Sequence, residues 1–191
     1  MCARRCDLNS ATRTRAAEAL TALLTALPCY RSAQHLAAYA AVSGEVDTKP
    51  LLQHAHHDGK HIYLPVVPPK HSAELRFYAW TPATVMQTNR FHIPEPVVSN
   101  SVGIAPQSLD LVLTPLVAFD RSGNRLGMGG GFYDRTFSFL KASGGKPLML
   151  GLAYEFQRFD RLEEASWDVA LSGVVTERRV YFFADHEVKH A

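Results

Sequence analysis

Residues 124–135, NRLGMGGGFYDR, hold four glycines in five positions, Gly127 and Gly129 to Gly131, bracketed by Arg125 and Arg135. Glycine lets backbone N–H groups approach oxygen atoms with no Cβ in the way, and a helix starting there adds partial positive charge. Such a loop suits a phosphate. Asp134 stands where an acid could hold Mg2+ beside phosphate oxygens, since a carboxylate with phosphates is a usual magnesium shell. Two common phosphate fingerprints do not fit. A G-x-G-x-x-G begun at Gly127 requires glycine where Phe132 stands, and one begun at Gly129 meets Asp134. A Walker-type loop requires Gly-Lys followed by Ser or Thr, and this segment has no lysine. The alternative reading is a plain glycine turn with solvated arginines.

Other chemistry-bearing residues have simpler explanations. Glu45 and Asp47 can cap the helix that follows them. His54, His56, His57 and His61 have no carboxylate or cysteine at ligand spacing beside them and read as an exposed helix end. Cys2, Cys6 and Cys29 allow no closed disulfide framework and lack metal-type pairing, which suits a reducing compartment. There is no G-x-S-x-G elbow and no Cys–His signature.

The elements that must position the glycine loop can be read from periodicity. Residues 10–27 have apolar positions at helical spacing, with Asn9 or Ser10 as cap. HLAAYAAV (35–42) reads as a buried strand. Residues 47–60 read as a helix with Asp47 or Thr48 at its start, Pro50 in the first turn and Gly59 as stop. HIYLPVV (61–67) and LRFYAW (75–80) follow as strands. Residues 81–108, with Pro82, Pro94, Pro96 and Pro106, read as a long irregular connection. LDLVLTPLVAF (109–119) is a continuous apolar run, the mark of a central parallel strand covered on both faces. A helix is expected over 132–141 after the glycine loop, then strands at 147–154, 172–176 and 179–183. Strands alternating with helices make an α/β fold, a three-layer sandwich with a mostly parallel, Rossmann-like central sheet. The loop then lies at the carboxyl end of a strand, where such sheets bind ligands.

The chain of 191 residues suits one domain, 1–191, with 184–191 expected to be a mobile tail. A content of 47% hydrophobic and 20% charged residues is that of a globular protein. A formal charge of +2 gives no basic footprint for nucleic acid. No apolar stretch is long enough to span a bilayer, and residues 1–15 have no apolar signal core. We expect a cytoplasmic monomer with no nucleic-acid or membrane partner.

The segment DLVLTPLVAFDRSGNRLGMGGGFYDR (110–135) closely resembles the signature of the 5-formyltetrahydrofolate cyclo-ligase family. YAAVSGEVDTKPLL (39–52), LRFYAW, RFHIPEP (90–96) and WDVALSGVVTE (167–177) resemble further family segments in the right order. The resemblance implies ATP-dependent closure of 5-formyltetrahydrofolate to 5,10-methenyltetrahydrofolate, with small-molecule folate and ATP as partners and Mg2+ as cofactor. It implies an ATP-binding stretch made of Arg125, Leu126, Gly127, Met128, Gly129, Gly130, Gly131, Phe132 and Tyr133, with Arg125 and Tyr133 in catalysis. Met128, Gly129, Gly130, Gly131 and Phe132 would also face the folate, with Ala40 and Glu45. Asp134 and Asp168 match the magnesium ligands.

Two departures from the family pattern stand out. Many members carry a base inside the glycine loop, where this chain has Met128 and Gly130. The family's N-terminal Lys and Arg that reach the phosphates would fall before Met1, leaving Arg4 and Arg5 as the nearest bases. We therefore expect either a natural start upstream or weakened ATP binding. Two other readings keep the anion loop: a non-catalytic folate- or nucleotide-binding relative, and an isomerase or transferase acting on a phosphorylated metabolite.

Overall fold

The computed structural model describes residues 1–69, 74–98, 102–143 and 145–183; the expected tail at 184–191 lies outside them. A short helix α1 (Cys2–Cys6) precedes α2 (Ser10–Thr25), whose first turn is capped by Asn9: the Thr12 amide donates to Asn9 Oδ1 at 2.8 Å. Then come α3 (Pro28–Ser32), β1 (His35–Ala37), α4 (Lys49–His57), β2 (His61–Val66) and β3 (Arg76–Trp80). The connection from 81 to 108 is less irregular than its prolines suggest. It contains a hairpin of β4 (Met86–Thr88) and β5 (Pro94–Pro96). Buried Glu95 holds that hairpin to the body, accepting from the Val67 amide and Asn89 Nδ2, both at 2.9 Å. After it follow β6 (Leu111–Pro115), β7 (Ala118–Phe119), β8 (Arg125–Leu126), α5 (Phe132–Thr136), α6 (Leu140–Ser143), β9 (Leu148–Leu152), β10 (Gly173–Val175) and β11 (Val180–Phe182).

Among the described residues, seven strands form the main sheet in the order β11-β10-β9-β6-β1-β2-β3. The five inner strands are parallel, and β3 and β11 close the edges antiparallel. Both faces are covered. Leu111 and Leu113 of β6 enter the core shared with α2 and α4, while Val112 between them enters the opposite core with Phe137 and Val174. Leu148, Leu150 and Met149 of β9 divide in the same way. A period of two with apolar partners on each side is what makes these strands read as unbroken apolar runs. Among the described residues, no helix is long and apolar enough to cross a membrane.

Three expected elements are shorter than their sequence pattern, each because a side chain claims a backbone group. The strand expected over 35–42 stops at Ala37. Just beyond it, Thr48 Oγ1 donates to Tyr39 O at 2.6 Å and the Tyr39 hydroxyl donates to Val46 O at 3.0 Å, so the chain folds back on itself. Thr48 thus ties a loop, and the α4 entry is held instead by Asp47 Oδ1, which accepts from the Lys49 amide at 2.9 Å. The run over 109–119 breaks after Pro115, where Gln157 Nε2 donates to both Leu116 O (2.8 Å) and Val117 O (2.9 Å). The chain then leaves the main sheet as the β7–β8 hairpin. The helix expected over 132–141 divides into α5 and α6. Thr136 Oγ1 donates to Phe132 O at 2.6 Å and accepts from the Leu75 amide at 2.8 Å, and the fully buried Phe137 turns into the core.

Candidate active site at the glycine loop

The β7–β8 hairpin carries the glycine loop out from the carboxyl end of β6. The turn that closes the hairpin is held by Asp120 Oδ1, which accepts from the amides of Ser122 (2.8 Å) and Asn124 (3.1 Å). Residues 126–130 are exposed. Gly129 and Gly131 sit at φ +81° and +59°, left-handed conformations that side-chain-bearing residues rarely adopt, so these two glycines are required by the backbone path. Gly131 is also the residue from which α5 begins.

Arg125 does not reach into solvent. Its Nη2 donates to Asp134 Oδ1 at 2.6 Å, its Nη1 donates to Val169 O, and its side chain is 7% exposed. Asp134 Oδ1 also accepts from the Val169 amide at 3.1 Å. Arg125, Asp134 and Val169 thus lock the loop to the 165–169 segment. Arg135 places its guanidinium carbon 5.5 Å from the centre of the Phe132 ring, and its Nη2 donates to Gly130 O. The two flanking arginines therefore shape the loop in addition to supplying charge near it.

Asp168 precedes Val169, whose amide donates to Asp134, so the backbone that carries the second expected carboxylate runs beside the first. Asp168 Oδ2 accepts from the Ala165 amide at 2.9 Å, and Lys141 Nζ donates to Asp168 O at 3.0 Å. The described hydrogen bonds of each carboxylate fall on one oxygen, Oδ1 of Asp134 and Oδ2 of Asp168. Among the described residues no three His, Cys, Asp or Glu side chains gather into a cation cage. One or two carboxylates completed by substrate phosphates and water is the usual magnesium arrangement, and acids on two neighbouring segments are the donor type it takes.

Glu45 belongs to a separate turn at 42–45, where Ser43 (φ 51°) and Gly44 (φ +72°) are both left-handed. The Glu45 amide donates to Val42 O at 2.9 Å while Glu45 Oε2 accepts from the Val42 amide at 3.0 Å. Burial pushes the Glu45 carboxyl above the usual glutamate range, against the Val42 hydrogen bond and the nearby Arg5 charge. Glu45 lies within electrostatic reach of Tyr133, and so does Arg125. The acid turn and the end of the glycine loop, far apart in sequence, therefore act electrostatically on one tyrosine. Burial raises the Tyr133 hydroxyl well above its ordinary range, so at neutral pH it is a hydrogen-bond donor. Ala40 precedes this turn, half-buried. Beside it opens a cleft of ≈ 500 Å³ whose lining includes Ser10, Arg13, Thr14, Glu45 and Asp47.

The segment RFHIPEP is marked by its resemblance, without roles for its residues. Phe91, at the tip of the β4–β5 hairpin, meets Phe132 edge-on with ring centres 6.0 Å apart. Arg90 anchors that tip, its Nη1 donating to Pro68 O at 2.7 Å. Neither Arg4 nor Arg5 projects as a loose base toward the loop. Arg4 stacks over the Phe156 ring at 4.2 Å, and Arg5 is 1% exposed.

Comparison with known proteins supplies the family. The model of the 5-formyltetrahydrofolate cyclo-ligase family matches residues 1–177. A 5-formyltetrahydrofolate cyclo-ligase of Haemophilus influenzae is 38% identical over 171 residues, 90% of this chain and 90% of that one. The one from Escherichia coli K12 is 37% identical over 164 residues, 86% of this chain and 88% of that one. The solution structure of Aquifex aeolicus 5,10-methenyltetrahydrofolate synthetase superposes with a TM-score of 0.78 at 33% identity, covering 100% of this chain and 95% of that one. By the family match, the relatives and the shared fold, the chain belongs to the 5-formyltetrahydrofolate cyclo-ligase family.

Proposed function

We propose that the protein converts 5-formyltetrahydrofolate to 5,10-methenyltetrahydrofolate, consuming ATP and releasing ADP and phosphate. The observation that supports this reading is that one short helix, Cys2–Cys6, touches both segments: Cys2 Sγ lies 3.8 Å from Met128 Sδ in the glycine loop, and Gly44 of the acid turn packs on the Arg5 carbonyl. Two ligands held head to head need two binding segments that converge, and a loop for phosphate beside a buried acid for N–H groups is such a pair.

The chemistry follows from the leaving group. A formamide oxygen departs poorly, so the γ-phosphoryl group of ATP passes to it and ADP is left. The folate's second nitrogen then attacks the activated carbon through its lone pair, and the carbon–oxygen bond breaks. Phosphate departs with the proton of that nitrogen. Catalysis of this kind is positioning and charge stabilisation. The amides of residues 127–131 approach the phosphates, and Glu45 accepts from the pterin N–H groups beside Ala40. The Tyr133 hydroxyl donates to charge developing between the ligands. Arg125, held by Asp134, presents fixed positive charge at the loop's base. Asp134 and Asp168 would hold Mg2+, which neutralises phosphoryl charge when bound.

The test is to mix the protein with 5-formyltetrahydrofolate and Mg2+, with and without ATP, and follow methenyl absorbance in the near ultraviolet. Growth of the band only with ATP is expected; no band in either mixture refutes the reading. Trp167, 70% exposed and adjacent to Asp168, gives a second readout: its emission should change on MgATP addition, and Trp167→Phe should abolish that change.

A further inference from the structure

Arg5 is a buried cation with no ion pair to any described residue. Its Nη1 donates to Leu116 O at 2.9 Å, its Nη2 faces Cys2 Sγ at 3.7 Å, and its Nε is buried without a partner. Stability alone is a poor reason for such an arrangement, because burying a charge without an ion-pair partner costs free energy. Its location supplies a better one.

Leu116 O accepts from Arg5 and from Gln157 Nε2 (2.8 Å), and Gln157 also holds Val117 O (2.9 Å). Residues 116 and 117 are the joint between β6 and the hairpin that presents the glycine loop, and the Val117 amide starts that hairpin by donating to Leu126 O at 2.7 Å. Two buried side chains from distant segments thus grip the root of the loop. On its other side Arg5 abuts the acid turn. A Cβ added at Gly44 would lie 2.7 Å from the Arg5 carbonyl carbon and 2.8 Å from its oxygen. At the start of the same helix, Cys2 Sγ stands 3.8 Å from Met128 Sδ in the glycine loop. Helix α1 therefore spans from the loop to the turn, with Arg5 as its inward strut.

We propose that Arg5 is a positioning residue that fixes the separation between the glycine loop and the 42–45 turn, so that nucleotide and folate meet at reacting distance. This deepens the functional reading above and rests on it for the identity of the ligands.

The test compares the full chain with Arg5→Lys, Arg5→Gln, Gln157→Met and the Arg5→Gln/Gln157→Met pair. Misplacing reacting groups by about 1 Å costs on the order of a hundredfold, so kcat for methenyl formation should fall about tenfold to a hundredfold in Arg5→Gln. Arg5→Lys should recover part of that loss, since it keeps the charge but not the fork. The pair should fall little further than the worse single variant, because both residues act through Leu116 O. A purely structural role would lower the melting temperature and leave the folded enzyme's kcat and both KM values within about twofold of wild type, and that result overturns the proposal. If Arg5→Gln does not fold, the same decision is read from Arg5→Lys. Amide exchange separates this inference from the functional reading. Exchange over residues 117–131 should quicken in the Arg5 variants whether or not the wild type turns over folate, and unchanged exchange there refutes the strut.

Discussion

Asp134→Asn separates two jobs that one carboxylate could do. In the free protein Asp134 neutralises Arg125 across 2.6 Å, with side chains 21% and 7% exposed. Two unit charges about 4 Å apart at an effective dielectric of about 20 attract by about 4 kcal/mol before desolvation is counted. Removing one partner of a fully buried pair costs about 3–5 kcal/mol, because the other charge is stranded. Here the stranded guanidinium keeps Val169 O, and the carboxamide of the variant retains an oxygen for the Val169 amide, so the expected cost is about 2–3 kcal/mol. In a chain of 191 residues that lowers the melting temperature by roughly 4–12 °C. Urea denaturation without Mg2+ or nucleotide is the assay, run on both single variants and on Arg125→Gln/Asp134→Asn. The double variant removes both charges and should be more stable than the sum of the single losses by about 1 kcal/mol or more. Asp134→Asn within about 0.5 kcal/mol of wild type, or strict additivity, would refute the account of Asp134 as the counterion of Arg125. The magnesium role has its own signature: a raised Mg2+ requirement for turnover, measured well below the variant's melting temperature.

Two further outcomes follow from the backbone and from charge. Gly44→Ala combines left-handed φ with backbone contacts that cannot yield and should cost about 2–4 kcal/mol. Gly129→Ala, at φ +81° but in open space, should cost about 1–2 kcal/mol; denaturation of the two variants side by side checks the contrast. Asp110, at the start of β6, is pushed up by burial, yet Lys146 and the amides of His35 and Gln34 hold its carboxyl down to about 2. A depressed carboxylate stabilises above its unfolded value near 4 and loses that contribution as pH falls through 2. Asp110→Asn should therefore cost about 1–2 kcal/mol at pH 7, with the gap to wild type closing near pH 2 in denaturation curves at both pH values.

Much of the fold was legible because its signals are local. Asn9 caps α2, Pro50 opens α4, and the apolar runs at 111–115 and 148–152 are inner parallel strands. The glycine loop was legible for the same reason: left-handed backbone at Gly129 and Gly131 demands glycine at the positions themselves. Local patterns failed where a distant side chain intervened. The 109–119 run carries no sign of its break after Pro115, since the groups that claim Leu116 O belong to Arg5 and Gln157. The β4–β5 hairpin was hidden among prolines because a single buried carboxylate, Glu95, does the holding.

The sequence by itself determined the elements, the loop and the kinds of residue that gather at the site, because propensity, periodicity and φ depend on near neighbours. Only the tertiary structure decided what each charge is for. Arg5, one of the first two bases in the chain, is turned inward onto a carbonyl 111 positions away. Arg125, expected at the phosphates, is paired with Asp134, and the strand β1 that leads toward Glu45 lies beside β6, which leads toward the glycine loop. A charge in the interior takes the partner that the packing of distant segments brings to it, and no run of neighbouring residues encodes that choice.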